Sequence, residues 1–273
     1  MLKRCFENVK NKSPLIHNIT NYVTVNDCAN ILLACGGSPI MADYSGEIEE
    51  IASICNGLNI NIGTLNEGTM LSMILAGKKS NKCNNPVLLD PVGAGASALR
   101  TETAHRLLEE VKFSVIRGNI SEIKTLIDGT GSTSGVDASI DDVVTEENLD
   151  ETVSFAKSFS AKTGAVIVIT GAIDIVADSE KAYVIRNGHP MMSKITGTGC
   201  MLSAMTTAFI AANPENIIEA TKASVAAMGL CGELAFERLS ERDGNSTYHN
   251  YLIDEVYNLT AEKLESGARY EVR

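Results

Sequence analysis

The sequence predicts an α/β fold, a three-layer α/β/α sandwich on a mainly parallel central sheet. Two observations predict it. Short apolar runs alternate with segments of helical periodicity, the pattern of strand–helix–strand units whose sheet is covered on both faces. The chain has 273 residues, 44% hydrophobic and 21% charged, which is enough to bury a sizeable core and is read as a single domain over residues 1–273.

Residues 1–11 predict a short leading helix. Strands are predicted at Leu15–Ile19, Ser38–Met41, Leu58–Ile62, Pro86–Leu89, Phe113–Ile116, Ala165–Ile169 and Asp174–Ala177. These runs are rich in aliphatic and β-branched residues. A further β-rich run, Ala182–Arg186, is placed to pair with the last of them as a hairpin. Helical patterns lie between, at Val23–Ala34, Glu47–Cys55, Glu67–Leu75, Thr101–Val111 and Leu149–Lys162. After Lys194 the chain reads as almost wholly helical. Met201, Ala204, Met205 and Ala208 fall at i, i+3, i+4 and i+7 there, and Leu202 and Phe209 widen that stripe. Ala220, Ala223, Ala227, Gly229 and Gly232 are small enough to let their helix pack close to its neighbours. Gly129–Ser139, GTGSTSGVDAS, is expected to be an exposed loop.

The net charge of −11 argues against a nucleic-acid or anionic-membrane surface. It is compatible with a phosphate-bearing ligand if the site itself is made of amides, an arginine and a metal ion. The basic residues near the start have no apolar stretch behind them, so no signal peptide is expected, and no run approaches the roughly 18 apolar residues of a membrane span. The seven cysteines, at positions 5, 28, 35, 55, 83, 200 and 231, form no C-x-x-C pair. That pattern suits free thiols in a reducing cytosol, so a cytoplasmic protein without a zinc site is expected.

Chemistry is predicted first in KITGTGCMLSAMTTAFIAA, Lys194–Ala212. Gly197 and Gly199 turn tightly into a helix whose first N–H groups lack intrahelical partners, and the helix dipole favours negative charge at that spot. Cys200 sits in the first turn, where the same field is expected to lower a thiol's pKa. The plainer alternative is a buried helix with Cys200 as a small hydrophobe. Asp90 ends the strand of VLLDPVGAGAS, and a carboxylate there can hold Mg²⁺ directly or through water, or simply form a turn. Gly93–Ala98 imitate a dinucleotide fingerprint, but an Asp-Pro precedes the glycines and no strand-end acid follows at about 20 residues.

In VIRGNISEIKTLI, Arg117 is placed to clamp a phosphate by paired bonds. Asn119 and Glu122 have capping-box spacing, and the same two side chains can line phosphates and orient a magnesium-bound water. Thr170 and Gly171 end an apolar strand, where they can meet a phosphate or only turn the chain. In Ser13–Ala42, Asn18, Thr20, Asn21, Tyr22 and Cys28 surround a strand-to-helix turn, and Met41 ends the next strand. That set suits a small neutral heteroaromatic ligand, or else helix caps and core. There is no P-loop motif, so ATP use is not of that type.

With HNITNYVTVND, SPIMA, LLDPVGAGAS, IRGNISEI, VITGAIDIV and ITGTGCMLSA in this order, the chain resembles the hydroxyethylthiazole kinases of thiamine salvage nearly end to end. The resemblance implies a ribokinase-like fold and phosphorylation, with ATP and Mg²⁺, of the primary hydroxyl of 4-methyl-5-(2-hydroxyethyl)thiazole. Carried over by motif, it implies that Asn21, Val23, Met41 and Gly197 contact the thiazole. Asp90 and Glu122 would serve the magnesium, and Arg117, Asn119 and Thr170 would hold ATP. Gly197 and Gly199 would supply anion-hole amides, and Cys200 would face the hydroxyl, where most ribokinase-like sugar kinases carry an Asp as base. A homotrimer with active sites between subunits is also implied. Rivals on the same fold are a hydroxymethylpyrimidine or pyridoxal kinase and a nicotinamide-hydrate dehydratase. A rival of another class is a non-catalytic thiazole-binding protein, which has no use for phosphoryl-transfer apparatus.

Overall fold

The computed structural model of the chain describes residues 1–128 and 143–273, so the loop expected at Gly129–Ser139 lies outside the described residues. Its frame is one sheet built from β1 (Leu15–Ile19), β2 (Ser38–Ile40), β3 (Gly57–Asn61), β4 (Val87–Asp90), β5 (Val115–Asn119), β6 (Val166–Thr170), β7 (Asp174–Ala177), β8 (Ala182–Ile185) and β9 (Tyr270–Val272). The strands lie in the order β2-β1-β3-β4-β5-β6-β7-β8-β9. β1 to β6 are parallel, and β7, β8 and β9 add antiparallel. β1 has β2 on one side and β3 on the other, so the chain reverses its direction across the sheet there. In open α/β sheets ligands bind outside the carboxyl ends of the strands at such a switch point.

Around the sheet lie α1 (Leu2–Lys12), α2 (Val25–Cys35), α3 (Ile48–Ile54), α4 (Glu67–Lys82), α5 (Ala98–Glu110), α6 (Ile120–Asp128), α7 (Leu149–Thr163), α8 (Thr198–Ala212), α9 (Ile217–Glu237), α10 (Asn245–Asn258) and α11 (Ala261–Gly267). Side chains alternate across a strand, and this assigns the layers. In β6, Val166 and Val168 join the core shared with α1, α2 and α8 to α11, while Ile167 and Ile169 join the core shared with α3 to α7. Leu88 and Val115 follow the first pattern, Val87, Leu89 and Ile116 the second. The expected three-layer sandwich forms.

Two expectations are corrected and one strand is added. β5 runs to Asn119, beyond the apolar run that ends at Ile116, because its ladder with β6 continues through Arg117↔Val168, Gly118↔Ile169 and Asn119↔Thr170. The segment after Lys194 is almost wholly helical as expected, with one strand that was not foreseen: Tyr270–Val272 forms β9 on the free edge of β8, and Tyr183 meets Tyr270 edge-on with ring centres 5.8 Å apart. The apolar stripe of α8 understates its burial. This helix packs on β1, β3 and β4 and is covered by α1, α2 and α9, and nearly every residue from Cys200 on is buried. The small residues of α9 do serve close approach, since a Cβ at Gly229 would fall 2.6 Å from the Asn187 carbonyl oxygen.

Candidate active site

The register of three neighbouring strands sets the centre of the site. Asn61 stands opposite Asp90, and Leu89 opposite Ile116, which brings Arg117 level with Asp90 at the carboxyl edge. Their side chains point to the face on which α8 begins. Asp90 Oδ2 accepts from Ser203 Oγ at 2.8 Å and from Asn61 Nδ2 at 2.9 Å, with Arg117 Nη1 3.6 Å away. Asp90 is fully buried, yet its Oδ1 has no hydrogen-bond partner among the described residues. Burial raises its pKa, and Arg117, Ser203 and Asn61 oppose that rise. One oxygen of this carboxylate is engaged and the other is open.

Glu122 opens α6 and closes a reciprocal cap. Its N–H donates to Asn119 Oδ1 at 2.9 Å, and the Asn119 N–H donates to Glu122 Oε2 at 2.8 Å. The Gly93 N–H donates to Glu122 Oε1 at 2.8 Å, tying the glycine loop after β4 to the start of α6. Burial first, and then the nearby Asp90, push the Glu122 carboxyl up to about 7, against the pull of those amides and Arg117. Among the described residues no three His, Cys, Asp or Glu side chains gather into a metal cage. Two carboxylates without a cage suit Mg²⁺, which keeps its waters and is commonly bound by one or two acids together with substrate phosphates.

Arg117 Nη2 donates to Thr170 Oγ1 at 2.6 Å, and its buried Nε has no partner among the described residues. The guanidinium lies against the start of α8, where a Cβ at Gly199 would fall 2.5 Å from Nη1. Gly197 is the N-cap in the left-handed region, φ +89°, and a Cβ there would stand 2.7 Å from Thr24 Cγ2. The two glycines therefore let the first amides of α8 sit beside Arg117 on one side and the start of α2 on the other.

Cys200 is buried under this turn. Its Sγ accepts from Asn61 Nδ2 at 3.2 Å and from Asn21 Nδ2 at 3.3 Å. Asn21 is oriented in turn by the Thr24 N–H, which donates to its Oδ1 at 3.1 Å. The expected lowering of the thiol pKa is overturned. Burial raises it and Asp90 adds to the rise, outweighing Thr24, Asn21 and Arg117. A helix terminus favours the thiolate only where desolvation does not cost more.

The structure thus brings Asn21, Asp90, Arg117, Asn119, Glu122, Thr170, Gly197, Gly199 and Cys200 to one edge of the sheet. Met41 follows β2 and packs, half-buried, against the core that contains Cys200. The next carbonyl, of Ala42, accepts from His17 Nε2 at 2.8 Å, and burial lowers the pKa of that imidazole and keeps it neutral. Val23 stands differently: it is 56% exposed in the turn before α2, beside Tyr22 at 79%. Sequence reasoning passed over Asn61 and Ser203. The signals were a strand with asparagines on alternate positions, Asn59 and Asn61, and a serine one helical turn after Cys200.

Comparison with known proteins runs the length of the chain. The model of the hydroxyethylthiazole kinase family matches residues 6–262. A hydroxyethylthiazole kinase of Clostridium acetobutylicum is 69% identical over 99% of each chain. The solved hydroxyethylthiazole kinase of Pyrococcus horikoshii OT3 superposes with a TM-score of 0.88 at 32% identity, covering 100% of this chain and 98% of that one. A ribokinase-like superfamily protein from Enterococcus faecalis V583 shares the fold alone, at 13% identity and a TM-score of 0.60 over 94% of this chain and 89% of its own. The fold is ribokinase-like, and the chain belongs to the hydroxyethylthiazole kinase family.

Proposed function

We propose that this chain transfers the γ-phosphoryl group of ATP to the primary hydroxyl of 4-methyl-5-(2-hydroxyethyl)thiazole, in a Mg²⁺-dependent reaction. The observation that carries the reading is the unpartnered Oδ1 of buried Asp90, set beside the Arg117 guanidinium and the glycine-started helix α8. A loose phosphoryl transfer asks for alignment and neutralisation of charge far more than for a strong base. Arg117, oriented by Thr170, clamps the phosphates, with Asn119 lining them. The amides of Gly197 to Cys200 receive the charge that develops on the transferred group. Asp90 and Glu122 would hold the magnesium, which would neutralise charge on the phosphates when bound.

The thiazole lies between Asn21, Met41 and the Gly197 turn, with its hydroxyl toward Cys200. The burial that raises the Cys200 pKa opposes an ionised thiol. Cys200 accordingly positions the hydroxyl; the bond from phosphorus to ADP breaks as that to the alcohol oxygen forms, and the hydroxyl proton then passes to an oxygen of the transferred phosphoryl group. Val23, with Tyr22 at 79% and Tyr44 at 72% exposure in the loops after β1 and β2, supports completion of the pocket by a neighbouring subunit, a homotrimer in solution. Light scattering on the purified protein checks that state.

The reaction is tested by ADP release with hydroxyethylthiazole, hydroxymethylpyrimidine and pyridoxal in parallel, each against a control without alcohol. Release strongest with the thiazole, and abolished by chelating Mg²⁺, is expected. Preference for another alcohol overturns the substrate; no stimulation by any overturns the kinase. A fall in kcat smaller than the roughly 10²–10⁴-fold that general acid–base catalysis contributes is expected of Cys200→Ala if the thiol positions the hydroxyl, whereas a general base would lose that much there and recover it in Cys200→Asp.

A further inference from the structure

We propose that Asn61 is a positioning residue for phosphoryl transfer, one that locks the Asp90 carboxylate and the Cys200 sulfur into a single frame. The proposal rests on the kinase reading above. Asn61 is fully buried at the carboxyl end of β3, and both halves of its carboxamide are engaged. Its Nδ2 donates to Asp90 Oδ2 at 2.9 Å and to Cys200 Sγ at 3.2 Å. Its Oδ1 accepts from Asn21 Nδ2 at 3.0 Å and from the Gly63 N–H at 2.9 Å. One side chain therefore joins the turn after β1, the loop after β3, the end of β4 and the start of α8.

This placement has two chemical consequences. Asn61 and Ser203 both donate to the same oxygen of Asp90, so the carboxylate is held against rotation and Oδ1 is the oxygen left open. The carboxamide also points a hydrogen at the Cys200 sulfur, as Asn21 does, so the sulfur accepts toward β3 and its own S–H is turned away from that side. Asn61 touches neither phosphate nor hydroxyl in this arrangement. It acts through the two groups that do.

The same strand carries an internal control. Asn59 lies two residues earlier on the same face and is equally buried. Its Nδ2 donates to Asn18 Oδ1 at 3.1 Å, its own Oδ1 has no partner among the described residues, and none of its hydrogen bonds reaches Asp90 or Cys200. An amide that merely fills space under α8 predicts equal penalties at both positions. A positioning amide predicts that turnover falls only at Asn61.

The experiment compares Asn61→Ala, Asn61→Asp and Asn59→Ala by thermal melts and steady-state kinetics. Asn61→Asp retains the acceptor for Asn21 and Gly63, removes the donors aimed at Asp90 and Cys200, and sets a second carboxyl 2.9 Å from Asp90 Oδ2, so Asn61→Ala is the variant that isolates the lost donors. Expected for both Asn61 variants is a fall in kcat of about 10–100-fold, the usual cost of losing an outer-shell partner. The thiazole KM stays within about 3-fold, the signature of an interaction that matters in the transition state rather than in binding. The extra thermal shift that Mg²⁺ with ADP gives over ADP alone shrinks in the same variants, a readout independent of turnover. Asn59→Ala melts lower and keeps its kcat. The proposal is overturned if the Asn61 variants turn over like Asn59→Ala while Asp90→Asn is inactive, or if both Asn61 variants fail to fold while Asn59→Ala folds. A wild-type protein that phosphorylates no alcohol overturns the kinase reading, and this proposal with it.

Discussion

Two polar clusters lie on the same face of the sheet, and one is closed where the other is open. At the antiparallel side, Lys222 of α9 sits over the rings of Tyr183 and Tyr270, 4.2 and 4.5 Å from their centres. It pairs with Glu219 Oε2 at 2.7 Å, and Glu219 Oε1 accepts from Lys181 Nζ at 3.0 Å and from the Tyr183 hydroxyl. Burial pushes the Glu219 carboxyl up, but the hydrogen bonds from Lys222, Tyr183 and Lys181 win and hold it at about 2. At the carboxyl edge of β3 to β5 the opposite holds: Asp90 Oδ1 and Arg117 Nε are unpartnered among the described residues, and Glu122 sits at about 7. The first cluster fastens β9 to the sheet. The second leaves a buried acceptor and a buried donor open to a ligand beside a carboxyl of raised pKa, a combination that suits a site better than a staple.

The sharpest way to break this contrast is at Asp90. Asp90→Asn keeps the shape and removes a buried acid whose countercharge is 3.6 Å off. We expect kcat to fall about 10³-fold, roughly 4 kcal/mol, in ADP-release assays, while the melting temperature holds or rises. A variant that unfolds instead makes Asp90 a structural residue like Glu219. The converse prediction is Lys222→Met, which strands Glu219 beside Tyr183 and Lys181. Urea unfolding should show a loss of about 1–3 kcal/mol, since Lys181 and Tyr183 still hold Glu219, with kcat of the folded fraction unchanged. Lost turnover there ties the staple to the site and ends the comparison.

The two clusters were not equally legible in the sequence. Asp90, Arg117, Glu122 and Cys200 stand at strand ends or a helix start beside glycines, where local chemistry announces itself. Tyr183, Lys222 and Tyr270 are far apart in the chain, and nothing local brings them together. β1 and β7 were read with their observed bounds because alternation and turn residues agree at both ends. β9 was missed because three residues carry no periodicity, and the free edge of β8 decides their pairing. The alternate asparagines of β3 mark a polar face, but they do not single out Asn61, because its partners Asp90, Cys200 and Asn21 meet only once the register is set. The thiol pKa was misread because the sequence displays the helix start and hides the burial.

A smaller effect sharpens the contrast through pH. The folded Glu122 carboxyl lies at about 7, above the ordinary 4.5, so the folded state binds a proton that the unfolded state releases. Its contribution to stability is therefore full below 4.5 and lost as pH rises through 7, on the order of 3 kcal/mol in all. Melts of ligand-free protein in chelator should fall across that window, and Glu122→Gln should reduce the fall, the remainder belonging to Asp174, whose carboxyl burial also pushes up to about 7. An unchanged slope in the Gln variant assigns the titration to another group. The closed cluster adds no slope there, because Glu219 at about 2 is already ionised throughout.

The smallest change tests whether the start of α8 is shaped for the ligand or for the helix. An alanine at position 199 is the better helix former, by up to about 1 kcal/mol, so a purely structural turn gains or loses nothing by it. The added Cβ, however, falls 2.5 Å from Nη1 and 2.8 Å from Nη2 of Arg117. The guanidinium is the far end of a flexible side chain and can move, so the fold survives. What moves is the group proposed to clamp the phosphates, and its bond to Thr170 Oγ1 at 2.6 Å is the one it must give up. Gly199→Ala should therefore melt at or above the parent temperature and raise the KM for ATP about 10-fold, roughly 1.4 kcal/mol of lost binding. An alanine variant with parental ATP kinetics means that Arg117 tolerates displacement, and that the open cluster is defined by Asp90 and the helix amides without it.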